Sequence, residues 1–181
     1  VGILDTGVDY FHPDLMGNIW VNPAEDLDGD GVVWDLDDID GIDAVGDADT
    51  LRDDLVGWDF VFADNDPHPY QDIYFYPHPH GTGMASAFAV TDNDMPGEYS
   101  SIAGIAWHCK IVPLKVATPS GGVWADDVIH AINYAINKDF GVLNMSFGFR
   151  INLVPAGLDA AIQRADSIGI IMVASAGNYN S

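Results

Sequence analysis

The chain is 181 residues long, enough for one domain of ordinary size. Apolar residues make up 48 %, which supports a packed core and excludes wholesale disorder. Twenty-eight acids against six bases give a net charge of −22, which disfavours nucleic acid and anionic membrane surfaces and invites cations.

Val1–Leu4 has the pattern of a buried strand and runs into the turn Asp5-Thr6-Gly7-Val8-Asp9. Open α/β sheets gather functional groups beyond the carboxyl ends of their strands, which suits the Asp5 carboxylate. A turn Asp that caps nearby amides is an equal alternative at this point.

From about residue 25 to 76 the chain is acidic and loop-like, broken by Asp-Gly and Pro. Residues 1–100 hold 23 acids and one base, Arg52, whereas residues 101–181 hold five of each. A uniformly solvated acidic surface would spread its charge over the whole chain, so this concentration points to a cation. Asp26-Leu27-Asp28-Gly29-Asp30-Gly31 places acids at loop positions 1, 3 and 5 and glycine at 6. Val32 at position 7 offers a carbonyl and Asp37 stands at position 12, the spacing of a calcium loop. Pro23 and the loop-like flanks argue against the paired helices of an EF-hand. Asp35, Asp38, Asp40 and Asp43 could feed a second ion. Val56–Phe62, alternating and aromatic, predicts one strand within this acidic region. His68-Pro69 and His78-Pro79-His80 lack a third ligand at a diagnostic spacing and read as turns rather than a zinc site. Tyr70, Tyr74, Phe75 and Tyr76 either cover a cleft or pack under the loop.

From His80 onward the texture changes. Gly81–Val90 is rich in small residues and predicts a closely packed helix headed by His80. Cys109, the single cysteine, excludes an internal disulfide and a Cys-based zinc cluster and reads as a small apolar residue. Ile111–Val116 predicts a strand. Ala125–Lys138 predicts a helix with Val128, Ile129, Ile132, Ala135 and Ile136 on one face. Val142–Met145 predicts a strand. Pro155–Ile168 predicts a helix with Leu158, Ala161, Ile162 and Ala165 inward. Ile170–Ala174 predicts a last strand. Apolar strands alternating with helices imply an α/β fold with a mainly parallel sheet covered on both faces. Asn144-Met145-Ser146-Phe147-Gly148 and Ala174-Ser175-Ala176-Gly177-Asn178 each carry polar groups just past a strand. An Asn there can donate to an oxyanion, or simply end a strand in a turn.

Taken together, these segments resemble the subtilisin-like serine proteases (subtilases, peptidase S8) over nearly the whole chain. Asp5-Thr6-Gly7-Val8-Asp9 with His12-Pro13-Asp14-Leu15 resembles the family's catalytic-Asp motif. His80-Gly81-Thr82 resembles its catalytic-His motif, Ser146-Phe147-Gly148 its substrate-pairing strand, and Ala176-Gly177-Asn178 its oxyanion-hole motif. Asn18–Pro23 and Gly57-Trp58-Asp59-Phe60 resemble bacterial subtilases with an acidic insertion before the His. The resemblance implies a three-layer subtilisin-like fold over residues 1–181, His80 as base, Asp5 as its orienting carboxylate and Asn178 as oxyanion donor. It also implies a polypeptide substrate bound beside Ser146, Phe147 and Gly148, with Ca2+ as cofactor and Asp14 as a further ligand. A secreted monomer with no nucleic-acid or membrane partner goes with it. Such chemistry needs a base because a serine hydroxyl is a poor nucleophile until an imidazole takes its proton.

The family's nucleophile lies in a Gly-Thr-Ser-Met-Ala type motif that has no counterpart here. Gly81-Thr82-Gly83-Met84-Ala85 looks like it but belongs to the His motif, and Ser86, Ser146, Ser175 and Ser181 stand outside the pattern. The expectation is a fragment cut at both ends that hydrolyses no peptide bond by itself. Gly83 also stands where many subtilases have a second His. A pseudoprotease or calcium-stabilised binding module is the alternative, against which stands the joint presence of Asp5, His80 and Asn178.

Overall fold

The structure is a computed structural model that describes residues 1–44, 47, 49–69, 79–89, 103–148 and 155–178. Five parallel strands form one sheet: β1 (Gly2–Asp5), β2 (Trp58–Asp59), β3 (Val112–Lys115), β4 (Val142–Met145) and β5 (Ile171–Ala174), in spatial order β2-β3-β1-β4-β5. Among the described residues four helices accompany them: α1 (Pro13–Met16), α2 (His80–Ala89), α3 (Ala125–Asn137) and α4 (Ala156–Ser167). Parallel strands need long crossovers, and α3 and α4 lie in the crossovers from β3, past β1, to β4 and from β4 to its neighbour β5.

Strand periodicity divides the core in two. Leu4, Leu114 and Leu143 are fully buried on one face, against Val128, Ala131, Ile132 and Ala135 of α3 and Leu158, Ala161 and Ala165 of α4. Ile3 points the other way and joins Val8, Tyr10, Leu15, Ile19, Leu55 and Val56 with Ala85 and Ala89 of α2. The sheet is therefore the middle of three layers. Burying each large aliphatic side chain contributes about 2 kcal/mol relative to exposure.

The helices and strands follow the apolar pattern closely, and the departures have physical causes. On α3, Ala131 and Tyr134 are buried whereas Ile129 and Ile136 lie half-buried at the margin of the core. Cys109 likewise packs half-buried against the second core. In α2 the buried stripe is Gly81, Ala85 and Ala89, one residue per turn, so small side chains let the helix ride close on the sheet. The Val56–Phe62 strand shrinks to Trp58–Asp59. The Asp59 side chain accepts hydrogen bonds from the amides of Val61 (2.8 Å) and Phe62 (3.1 Å), a turn that competes with extending the ladder. β5 is apolar but is not covered on both faces by the described residues: Met172 packs on the α3–α4 core, while Ile171 and Val173 are 63 % and 46 % exposed.

Candidate active site and acidic loop

Asp5 ends the central strand and is 3 % exposed. One carboxylate oxygen accepts the amide of Thr6 at 2.7 Å, and both oxygens face the Nδ1 of His80, at 2.8 and 2.9 Å. His80 is the first residue of α2, with a side chain 42 % exposed. An ionised carboxylate only accepts, so Nδ1 carries the proton and Nε2, on the opposite side of the ring, is left basic. Seventy-five residues separate the two groups, and three features join them. The Gly81 amide donates to Thr6 Oγ1 (3.1 Å), and the Asp9 amide donates to Thr82 Oγ1 (2.9 Å). Gly81 itself packs against the carbonyl of Gly7, an approach a side chain would prevent. Gly7 has φ +96°, and its Cα lies against Pro67, His68 and Pro69, so the turn admits glycine alone without strain.

Ser146, Phe147 and Gly148 follow directly on β4, the neighbour of β1, and so lie at the same carboxyl edge as Asp5. Ser146 Oγ accepts from the Asn144 side chain (2.9 Å), and the Phe147 carbonyl accepts from Ser175 Oγ (3.0 Å). Asn178 stands four residues beyond β5, one strand further out, and is exposed. The structure thus brings Asp5 and His80 into direct contact, while Asn178 follows a strand two positions away from β1 in the sheet.

The acidic loop closes differently from its spacing. Asp26, Asp28, Asp30 and Asp38 each bring a carboxylate oxygen within 4.8 Å of the others. Asp38, at loop position 13, enters this group, whereas Asp37 at position 12 is exposed and turns its amide to Asp35. Val32 is also exposed, its amide bonded to Asp30 Oδ1 at 2.7 Å. Asp38 is 1 % exposed; Oδ1 accepts the Leu27 amide (2.7 Å), and Oδ2 is buried without a hydrogen-bond partner. Burial pushes its carboxyl above the usual carboxylate range, and the neighbouring Asp26 and Asp28 add to the shift. An orphaned buried oxygen among three carboxylates fits a hard cation that takes oxygen ligands. Of the residues set aside for a second ion, Asp38 belongs to this group, and Asp43 lies instead with Glu25 and Asp47. Asp14, in α1, is held by His12 and joins no acidic group among the described residues.

Two buried lysines escaped the sequence reading. Lys115, at the end of β3, pairs with Asp59 at 2.7 Å. Lys138, directly after α3, contacts Asp47, lies 3.2 Å from Asp49 Oδ2 and lies 3.1 Å from Asp54 Oδ2. The only signal for either was scarcity: with six bases in the chain, one that closes an apolar strand or an amphipathic helix is a candidate for burial. His68 meets Asp9 (Nε2 to Oδ1, 3.2 Å) and joins no metal-ligand group among the described residues, while His78, Tyr70, Tyr74, Phe75 and Tyr76 lie outside those residues.

The profile of the Subtilase family (peptidase S8) matches residues 1–181. Thermitase of Thermoactinomyces vulgaris is 31 % identical over 179 residues, covering 98 % of this chain and 47 % of that protein. Subtilisin-like protease 1 of Plasmodium vivax is 30 % identical over 176 residues, covering 97 % of this chain and 24 % of that one. The solved structure of Sphericase shares the fold, with a TM-score of 0.66 at 24 % identity over 99 % of this chain and 46 % of that one. The chain thus spans between a quarter and a half of the length of these relatives. With the whole sequence matched by the profile and a parallel sheet that ends on the paired Asp5 and His80, the chain belongs to the subtilase family.

Proposed function

We propose that this chain supplies the acid–base half of a serine endopeptidase. In this reading Asp5 orients His80, and His80 is the base for a serine that lies outside these 181 residues. The observation that carries it is the grip of both Asp5 oxygens on His80 Nδ1, at 2.8 and 2.9 Å. Asp5 fixes the tautomer and stabilises the imidazolium, so Nε2 can take the serine proton and later return it to the leaving amine. Asn178 donates to the oxyanion of the tetrahedral intermediate. The polypeptide substrate adds as a strand beside Ser146, Phe147 and Gly148.

Ca2+ belongs to the same reading, as a structural ion held by the carboxylates of Asp26, Asp28, Asp30 and Asp38. It supplies the positive charge that four converging carboxylates lack. The enzyme acts as a secreted monomer, where calcium is abundant.

The test is hydrolysis of a peptide substrate by the full-length protein that carries this chain. Activity should be blocked by a serine-directed phosphonylating reagent and lost in His80→Ala. Undiminished hydrolysis by His80→Ala would sink the proposal.

A further inference from the structure

Three strands place a transverse row of charged residues at the carboxyl edge of the sheet. Asp59 of β2 is in register with Lys115 of β3, and Lys115 is in register with Asp5 of β1. Partners in register share a face: Leu4 and Leu114, one position earlier, both face α3 and α4. Asp5 and Lys115 therefore both face the α2 side, on strands about 4.8 Å apart.

The Lys115 side chain is 4 % exposed, and its ammonium has partners on two separate segments. Nζ lies 2.7 Å from Asp59 Oδ2 and donates to the carbonyl of His68 at 3.1 Å, with the Phe62 ring 5.2 Å away. His68 belongs to the short segment that lies on the Asp5 turn. The neighbouring Pro67 carbonyl accepts the Val8 amide at 3.1 Å. A Cβ on Gly7 would stand 2.6 Å from the Pro67 oxygen and 2.9 Å from both His68 C and Pro69 N. The carbonyl of Gly7 in turn lies against Gly81, the residue after His80. A continuous set of contacts thus runs from Lys115 through residues 67–69 and Gly7 to the base of His80. Stability alone does not account for a buried Lys–Asp pair, because an apolar pair of similar size is often at least as stable.

We infer that Lys115 is a positioning residue for the Asp5–His80 pair: it clamps residues 67–69 on to the Asp5 turn, and Asp59 is its counter-charge. The inference rests on the reading of Asp5 and His80 as an acid–base pair. Lys115 need not touch substrate. Its ammonium fixes the segment against which the turn is packed, and so fixes the carboxylate under the imidazole.

The experiment compares Lys115→Met with the double variant Lys115→Met/Asp59→Asn in the full-length protein. The single variant leaves Asp59 buried without its cation and loses stability. The double variant removes both charges and should recover the thermal melt. If Lys115 positions the pair, the double variant still shows kcat about 10- to 100-fold below wild type with KM little changed. The proton on His80 Nδ1, seen by NMR, should also be shifted or broadened in it by faster exchange. Wild-type kcat and a wild-type Nδ1 resonance in the double variant would overturn the inference and leave the pair a structural role. Failure of the double variant to fold would also overturn it. The Nδ1 resonance needs no peptide hydrolysis, so the inference is decided even if the protein proves not to be a protease.

Discussion

Gly81 and Gly7 meet backbone to backbone: a Cβ on Gly81 would collide with the Gly7 carbonyl oxygen and stand 3.0 Å from the Cβ of Asp5. The close approach seats helix α2 so that its first residue, His80, reaches the end of β1. Gly81→Ala should push the helix off the turn, lowering stability by about 1–3 kcal/mol and peptide hydrolysis by about 100-fold. Gly83 has open space where its Cβ would stand, so Gly83→Ala in the same helix should be neutral or stabilising by about 0.5–1 kcal/mol. Thermal melts and hydrolysis rates of the two variants check this, and equal behaviour would mean the contact is unimportant.

Ca2+ should protect residues 25–44 from limited proteolysis, and a chelator should expose them. Asp38→Asn should weaken Ca2+ binding, measured by titration calorimetry, by at least about tenfold, since it removes a buried ligand charge. Asp37→Asn, at an exposed residue whose amide turns to Asp35, should leave it nearly unchanged. The reverse order would restore the twelve-position spacing as the true ligand set.

Lys138 is the cation for three buried carboxylates, those of Asp47, Asp49 and Asp54. Burial alone would lower its pKa, but the carboxylates more than offset this and hold the ammonium charged. Above pH 7, where Asp54 too is ionised, Lys138→Met should cost about 3–5 kcal/mol, because it strands those charges. Urea unfolding gives the number, and a loss under about 1 kcal/mol would show that the cluster is solvated rather than buried.

The same cluster has a pH signature. Burial raises the Asp54 carboxyl to about 7 from its usual 3.8, against the opposing pull of the Tyr134 hydroxyl and the Lys138 ammonium. The folded chain therefore keeps this proton up to about pH 7, while the unfolded chain loses it near 3.8. Between those values the folded state binds more protons, so this group makes stability fall as pH rises and level off above 7. Asp54→Asn should lack that slope in urea titrations across the range. Parallel slopes in the two proteins would assign the effect to other groups.

Asn178→Ala should lower kcat of the full-length enzyme about 100- to 1,000-fold, with KM little changed, if its side chain is the oxyanion donor. A loss confined to KM would assign the residue to substrate binding.

The apolar strands and amphipathic helices were legible because their periods are set by burial: Val142–Met145 appears with the limits its composition predicts. Asp5 and His80 were legible as motifs, and the fold supplied what a motif lacks, a distance. The acidic loop was half legible. Spacing identifies Asp26, Asp28 and Asp30, which lie within one turn of chain. Which carboxylate completes the group depends on how Leu36 and Asp37 are thrown outward and Asp38 inward, which no local pattern encodes. Beyond the scarcity of bases nothing marked Lys115 and Lys138 as buried, because their partners are 56 and 84 to 91 residues away in sequence.

The exposed face of β5 has a consequence for how this stretch of the protein, taken alone, behaves in bulk. Among the described residues β5 is an outermost strand, with Ile171 and Val173 exposed on it, and a strand so placed offers backbone to any strand that arrives, one from the rest of the same protein included. The other end of the sequence carries nearly all of a net charge of −22. Taken by themselves, these 181 residues are a patchy colloid, with one adhesive flank and long-range mutual repulsion that keeps such flanks apart at low ionic strength. Salt shortens that repulsion to about 8 Å at 0.15 M without touching the adhesive flank. The solubility of these 181 residues expressed alone should therefore fall, not rise, as salt is added.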